Sequence, residues 1–244
     1  MLCEKLIKWV TFIFALVITC NAAATLPQAV EKIPKNVKNE PLFKDGKGYY
    51  SYKKPIDIEL PKDGRVLIQY FFKYDCNICL NADDYLKQYA RLHSDQVILQ
   101  RSPVYDGNDI FTGQMHATFM QFGREDLSDL FLFDSAGRKE SMSLVKSNDA
   151  IVQWLTSKGI DAQAFNRLFH SDEVKNRMKQ AQTLFNKYKP PYVPIAVLNG
   201  KYILLQNTLY NDDYTYGVLD FLVLELSNQV QRFFEVNFIR CFPT

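Results

Sequence analysis

The sequence has 244 residues, of which 47% are hydrophobic, 14% aromatic and 23% charged; with 10 glycines and 10 prolines, that balance excludes a disordered, collagen-like or low-complexity chain. Twenty-nine Lys/Arg against 27 Asp/Glu leave a formal charge of +2, which points to no nucleic-acid or anionic-membrane surface. Five cysteines and three histidines are too few for a disulfide-stapled miniature scaffold or a histidine-rich metal centre, so function must be sought in a local site.

The first stretch reads as an address. Glu4, Lys5 and Lys8 precede an apolar run from Trp9 to Ile18, and Ala22-Ala23-Ala24 follows, which is the layout of a secretory signal peptide. The run is shorter than the roughly 20 apolar residues that span a bilayer. Residues 1–24 are expected to be removed after Ala24, with cleavage after Ala22 as the alternative. Cys20 offers a rival, a lipoprotein signal in which that cysteine is acylated, although Thr19 is a poor residue ahead of such a cysteine. The mature chain is expected to be exported to a compartment where disulfides persist.

Residues 25–45, lysine-rich with Pro27, Pro34 and Pro41, read as an extended arm. Ile56, Ile58 and Leu60 alternate with Asp57 and Glu59, the pattern of a half-buried strand, and Pro61 to Gly64 turn the chain. Val66–Phe72 is nearly continuous in apolar residues and suits a strand buried on both faces. From Asp75 the period changes: Ile78, Ala82, Tyr85, Leu86, Tyr89 and Leu92 form one stripe of a helix, and Val97-Ile98-Leu99 follows as another strand, which completes a βαβ unit. Residues 104–188 carry amphipathic segments with almost no strand signal, and Asp161 and Ser171 or Asp172 are expected N-caps. Strand signal returns at Ile195–Leu198, turns at Asn199-Gly200 and resumes at Lys201–Leu205, a hairpin pattern. A last helix is expected from about Tyr214 to Phe234, with Val218, Phe221, Leu222 and Leu226 buried. The order ββαβ, helices, ββα predicts an α/β domain, residues 46–103 and 189–244, interrupted by an all-helical insertion, residues 104–188.

Without residues 1–24 the chain keeps Cys76, Cys79 and Cys241, an odd count with one close pair. Cys76 and Cys79 open the helix that follows the most buried strand. Residues i and i+3 lie on one helix face, so the two sulfurs can come within bonding distance. At a helix start the first N–H groups have no intrahelical partner and the dipole is positive; both favour thiolate, which is the nucleophile and the better leaving group. Cys76 is therefore expected to be the attacked cysteine and Cys79, further in, the resolving one. Other uses of the pair stay open at this point: a structural disulfide, though so short a loop removes little chain entropy, or a soft-metal site for copper. Zinc lacks a second ligand pair, and His93, His116 and His170 are isolated; no metal or other cofactor is expected. Cys241 beside Phe242 reads as a thiol packed like a small hydrophobe, with an intermolecular disulfide or a regulatory thiol as the alternatives.

Phe71-Phe72 ahead of Cys76-Asn77-Ile78-Cys79, the helical insertion, and Val193-Pro194 leading into Leu198-Asn-Gly-Lys-Tyr202 together resemble the DsbA-like thiol–disulfide oxidoreductases of the thioredoxin superfamily. The resemblance covers most of the mature chain. It implies a thioredoxin-like fold, a central mixed sheet flanked by helices, with the insertion as an added helical domain. It also implies that Pro194 is cis and packs beside the CxxC, leaving the Val193 backbone to pair with an extended substrate strand. The activity implied is thiol:disulfide interchange in the periplasm, on reduced secreted proteins, with reoxidation by a membrane quinone-linked oxidoreductase; the protein would be a monomer or a homodimer, the dimer through residues 25–45 going with an isomerase or reductase kept reduced.

Several positions depart from the family pattern. Asn77-Ile78 stands where strongly oxidising members usually carry Pro-His, whose histidine stabilises the neighbouring thiolate. Tyr70 stands six residues before Cys76, where members often bury a proton-transferring glutamate. Asp75 is expected to be the N-cap, its charge opposing thiolate formation, with Lys73 partly offsetting it. A weaker oxidant than the family prototype is expected. The alternatives are an isomerase or reductase kept reduced, or a non-catalytic binding module that retains the fold.

Overall fold

The computed structural model describes residues 41–105, 110–137 and 144–241, the last of these, 230–241, by backbone alone. The leader at 1–24, Cys20, residues 25–40 of the arm and the side chain of Cys241 lie outside the described residues. In chain order the elements are β1 (Lys44–Asp45), β2 (Gly48–Ser51), β3 (Val66–Phe72), α1 (Asn77–Leu92), β4 (Val97–Pro103), α2 (Phe111–Gln121), α3 (Glu125–Ala136), a 3-10 turn (Leu144–Lys146), α4 (Asn148–Ser157), α5 (Ala162–Phe169), α6 (Asp172–Tyr188), β5 (Ile195–Leu198), β6 (Tyr202–Leu204) and α7 (Asp212–Cys241).

The sheet runs β1-β2-β6-β5-β3-β4. β3 pairs parallel with β4 and antiparallel with β5, and β6 runs antiparallel to both β5 and β2, so the sheet is mixed. Every residue of β3 is buried because alternate side chains serve different cores. Val66, Ile68, Tyr70 and Phe72 face a large core with Ala82, Leu86 and Tyr89 of α1 and Leu219 and Leu222 of α7. Phe71 points the other way, with Ile195, Val197 and Tyr188, against Leu184 and Phe185. Burying each such side chain contributes about 1.5–3 kcal/mol. Gln69, the one polar residue in this strand, is satisfied by donating to Ser102 Oγ and to the Gln100 carbonyl.

The insertion is held by rings rather than by strand pairing. Phe131 lies 5.8 Å from Phe119 and 5.0 Å from Trp154, and Phe119 lies 5.3 Å from Phe165. Tyr74, in the loop after β3, reaches into this cluster at 4.9 Å from Phe131, so the insertion packs directly on the segment that leads to the cysteines. The caps at Asp161 and Ser171 form as expected: Asp161 accepts from the Gln163 and Ala164 N–H groups, and Ser171 from that of Val174. At the hairpin both Asn199 (φ 47°) and Gly200 (φ 66°) have positive φ, as type I′ turns require, and the Lys201 N–H closes the turn on the Leu198 carbonyl at 2.8 Å.

Three expectations need correction. Ile56–Leu60 is not a strand. The Ile56 N–H donates to the Gly200 carbonyl at 2.8 Å, but no ladder follows; Pro55 and Pro61 bracket the segment without donors, and the alternation packs Ile56 and Ile58 on the second core instead. In α1, Ile78 and Leu92 lie off the buried face at 38% and 63% exposure, because the helix packs through Cys79, Ala82, Asp83, Leu86 and Tyr89. The last helix is longer than its pattern suggested, and Phe221 is only half-buried while Leu219 and Val223 are fully packed. Of the expected arm, Lys44–Asp45 pair with β2, and Phe43 is buried against Tyr214 and Phe221 at 5.7 and 5.9 Å.

Candidate active site

The chain leaves β3 at Phe72, turns through buried Tyr74 and enters α1. Asp75 sits in the left-handed region at φ 64°, and the N-cap is Cys76 (φ −124°, ψ 99°), whose Sγ accepts from the Cys79 N–H at 3.2 Å. The expectation that Asp75 caps the helix is therefore wrong by one residue. With a positive φ it turns the chain, and the sulfur takes the place that a hydroxyl or carboxylate oxygen usually fills. Cys76 and Cys79 are joined by a disulfide with Cα atoms 5.1 Å apart. Their environments differ: Cys79 is 0% exposed beneath the helix, whereas Cys76 is half-buried at its mouth.

The Val193–Pro194 peptide is cis. Phe71 pairs with Ile195 in the β3–β5 register, so Pro194 falls opposite Phe72, at the end of the sheet from which the loop to Cys76 departs. Pro194 is buried and Val193 half-buried, with Val193 and Cys76 both packed at the margin of the main core.

A sheet of this order, a disulfide across the start of its central helix and a cis-proline at the same end can be set against known proteins. No family model matches the sequence. A Haemophilus influenzae protein described as uncharacterized is 35% identical over 190 residues, covering 78% of this chain and 80% of that one. The thiol:disulfide interchange protein DsbA of Azotobacter vinelandii is 26% identical over 170 residues, covering 69% of this chain and 78% of that one. Among solved structures, Pseudomonas aeruginosa DsbA superposes with a TM-score of 0.66 at 22% identity, over 78% of this chain and 97% of its own. In sequence and in fold the chain is DsbA-like, similar to the thiol:disulfide interchange proteins of that name.

Within that DsbA-like frame, Tyr70 is fully buried and its hydroxyl donates to the Cys79 carbonyl at 2.6 Å. Burial, then the nearby Asp83 charge, hold this phenol well above its usual range, although Arg101 works against them. It stays protonated and serves as a donor only. Asn77 is exposed, as is Ile78, so the residues between the cysteines face outward. Lys73 is half-buried at the loop. Among the described residues, no group of three or more His, Cys, Asp or Glu could hold a metal ion.

Sequence reasoning missed the support beneath the site. The Tyr74 N–H donates to Thr112 Oγ1 at 3.4 Å, Tyr74 Oη pairs with Ser128 Oγ at 2.8 Å, and the Asp75 N–H donates to Ser135 Oγ at 3.2 Å. All three hydroxyls come from α2 and α3 and are buried. Ser128 also pairs with His116 Nδ1 at 2.9 Å. Burial first, then the Arg101 and Arg177 charges, push His116 down to about 3, so it is neutral at ordinary pH. Behind this lies a charge cluster. Arg101 donates from Nε to Asp83 Oδ1 at 2.6 Å and pairs with Asp129, and Lys87 pairs with Asp83 at 3.2 Å and Asp129 at 2.9 Å. No spacing rule links a β4 arginine to α1 and α3; the only sequence hint is an Asp on the buried stripe of a helix.

Proposed function

We propose that the protein is an exported, periplasmic thiol:disulfide oxidoreductase that introduces disulfides into reduced secreted proteins, with Cys76 and Cys79 as its catalytic pair. The observation that carries this reading is the asymmetry of the disulfide: Cys76 is reachable and caps α1, while Cys79 is enclosed. A substrate thiolate attacks Cys76 Sγ, the S–S bond breaks, and its electron pair leaves on Cys79 Sγ, which takes up a proton. A second substrate thiolate then attacks the substrate sulfur of the mixed disulfide and expels Cys76 as a thiolate. Two electrons pass from substrate to enzyme, and the substrate leaves with a disulfide. The Cys79 N–H and the start of the helix stabilise that departing thiolate, which favours the oxidising direction. Val193, beside cis-Pro194, offers backbone groups to an extended substrate strand. A membrane quinone-linked oxidoreductase would return the pair to the disulfide.

Asn77 and Ile78 supply no charge to the Cys76 thiolate, and this favours a second reading, an isomerase or reductase kept reduced. Equilibrating the pair with glutathione while following peptide oxidation and insulin reduction tests both readings. The donor role predicts a couple more oxidising than glutathione and peptide oxidation faster than insulin reduction; a strongly reducing couple sinks it.

A further inference from the structure

We propose that Ser135, on the helical insertion, is a positioning residue for Cys76: by accepting the Asp75 N–H it holds Asp75 in the left-handed region and so aims the Cys76 sulfur at the Cys79 N–H. This positioning role rests on the exchange chemistry above and concerns the stability of the Cys76 thiolate that the exchange releases.

Asp75 at φ 64° occupies a region that L side chains disfavour, although aspartate tolerates it better than most. Something must hold it there, and what meets it comes from another part of the fold. Ser135 is fully buried; its Oγ accepts from the Asp75 N–H at 3.2 Å while its own O–H donates to the Leu132 carbonyl at 3.2 Å, so the hydroxyl is oriented before it meets the loop. The preceding residue is fixed from the same side, Tyr74 by Thr112 through its N–H and by Ser128 through its phenol. Two successive loop residues are thus fixed by the insertion, and the next residue is Cys76.

The dihedrals of Asp75 and Cys76 then decide where Sγ lies. Cys76 at φ −124° and ψ 99° brings it 3.2 Å from the Cys79 N–H. In the reduced protein that N–H meets a thiolate, and a hydrogen bond to the charged form favours it. Without the Ser135 hydroxyl, Asp75 can relax toward negative φ, the cap geometry loosens and the thiolate loses its donor. Ser135, itself buried, therefore tunes the cysteine from a distance through the loop backbone.

The test uses the full reduced protein, with iodoacetamide alkylation of Cys76 followed as a function of pH and the modified residue located by mass spectrometry. S135A is expected to slow alkylation at pH 6 roughly 3- to 10-fold, the range of one lost hydrogen bond, to move the rate profile to higher pH, and to make the couple less oxidising against glutathione by a similar factor. In the D75G background, where the left-handed conformation carries no side-chain penalty, S135A is expected to change the rate by less than about twofold. An unchanged profile in S135A, or the same loss in both backgrounds, overturns the proposal. Should S135A not fold, S135T and S135V, close in volume and differing in the hydroxyl, carry the same comparison. An alkylation profile that responds as expected in a protein without exchange activity would keep the positioning role and sink only the functional reading.

Discussion

Replacing Arg101 with methionine removes the centre of the buried charge cluster while keeping most of its stem. The guanidinium side chain is 6% exposed and its partner Asp83 3% exposed, with 2.6 Å between Nε and Oδ1, and the group also lies 4.6 Å from the Phe72 ring centre. Removing one partner of a buried pair costs about 3–5 kcal/mol, because the other charge stays buried. Lys87 remains 3.2 Å from Asp83 after the change, so the lower end applies, about 3 kcal/mol. For a chain of this size that lowers Tm by about 6–12 °C. Urea denaturation should show a reduced midpoint with an unchanged slope, since no more surface is exposed on unfolding. Because D83N removes the stranded charge, the D83N/R101M double variant should be more stable than the sum of the single losses by more than about 1 kcal/mol. A loss below about 1 kcal/mol for R101M, or strict additivity in the cycle, would refute the reasoning.

Acid should expose His116. Its folded value, about 3, lies below the ordinary value of 6.5, so the unfolded chain binds a proton that the folded chain refuses as pH falls through 6.5 toward 3. Stability from this residue is full above pH 6.5 and falls by about 1.4 kcal/mol per pH unit below it; H116F should therefore flatten the urea-midpoint slope between pH 6.5 and 4.5, and an unchanged slope would assign acid sensitivity elsewhere. For the pair run in the reducing direction, C79A should retain attack by the Cys76 thiolate but lose resolution by Cys79, so an activated disulfide probe leaves a stable mixed disulfide on Cys76. Non-reducing gels with mass mapping check this, and adducts that turn over at the wild-type rate would remove Cys79 from the resolving role.

Much of the frame was legible because it rests on local chemistry. Val66–Phe72 reads as doubly buried because both sheet faces are covered, Asn199-Gly200 supplies the two positive φ values its turn needs, and Asp161 and Ser171 cap the helices they precede. The failures share a cause. Alternation at Ile56–Leu60 reflects the inward packing of Ile56 and Ile58, with Leu60 left exposed, and does not record whether a neighbouring strand exists to pair with. Asp75 is a good cap by type, but a cap is set by φ and ψ, and at this residue they come from contacts with α3.

By itself, then, the sequence determined that two cysteines a helical turn apart follow the most buried strand, and that Val-Pro precedes a hairpin, since these are matters of order and spacing along one chain. The tertiary structure alone decided which residue caps the helix, and that Thr112, Ser128, Ser135 and Arg101 gather behind the site. Those four lie between 25 and 60 residues from Cys76 in the chain, and each came to its place through burial and hydrogen bonding that no local period encodes.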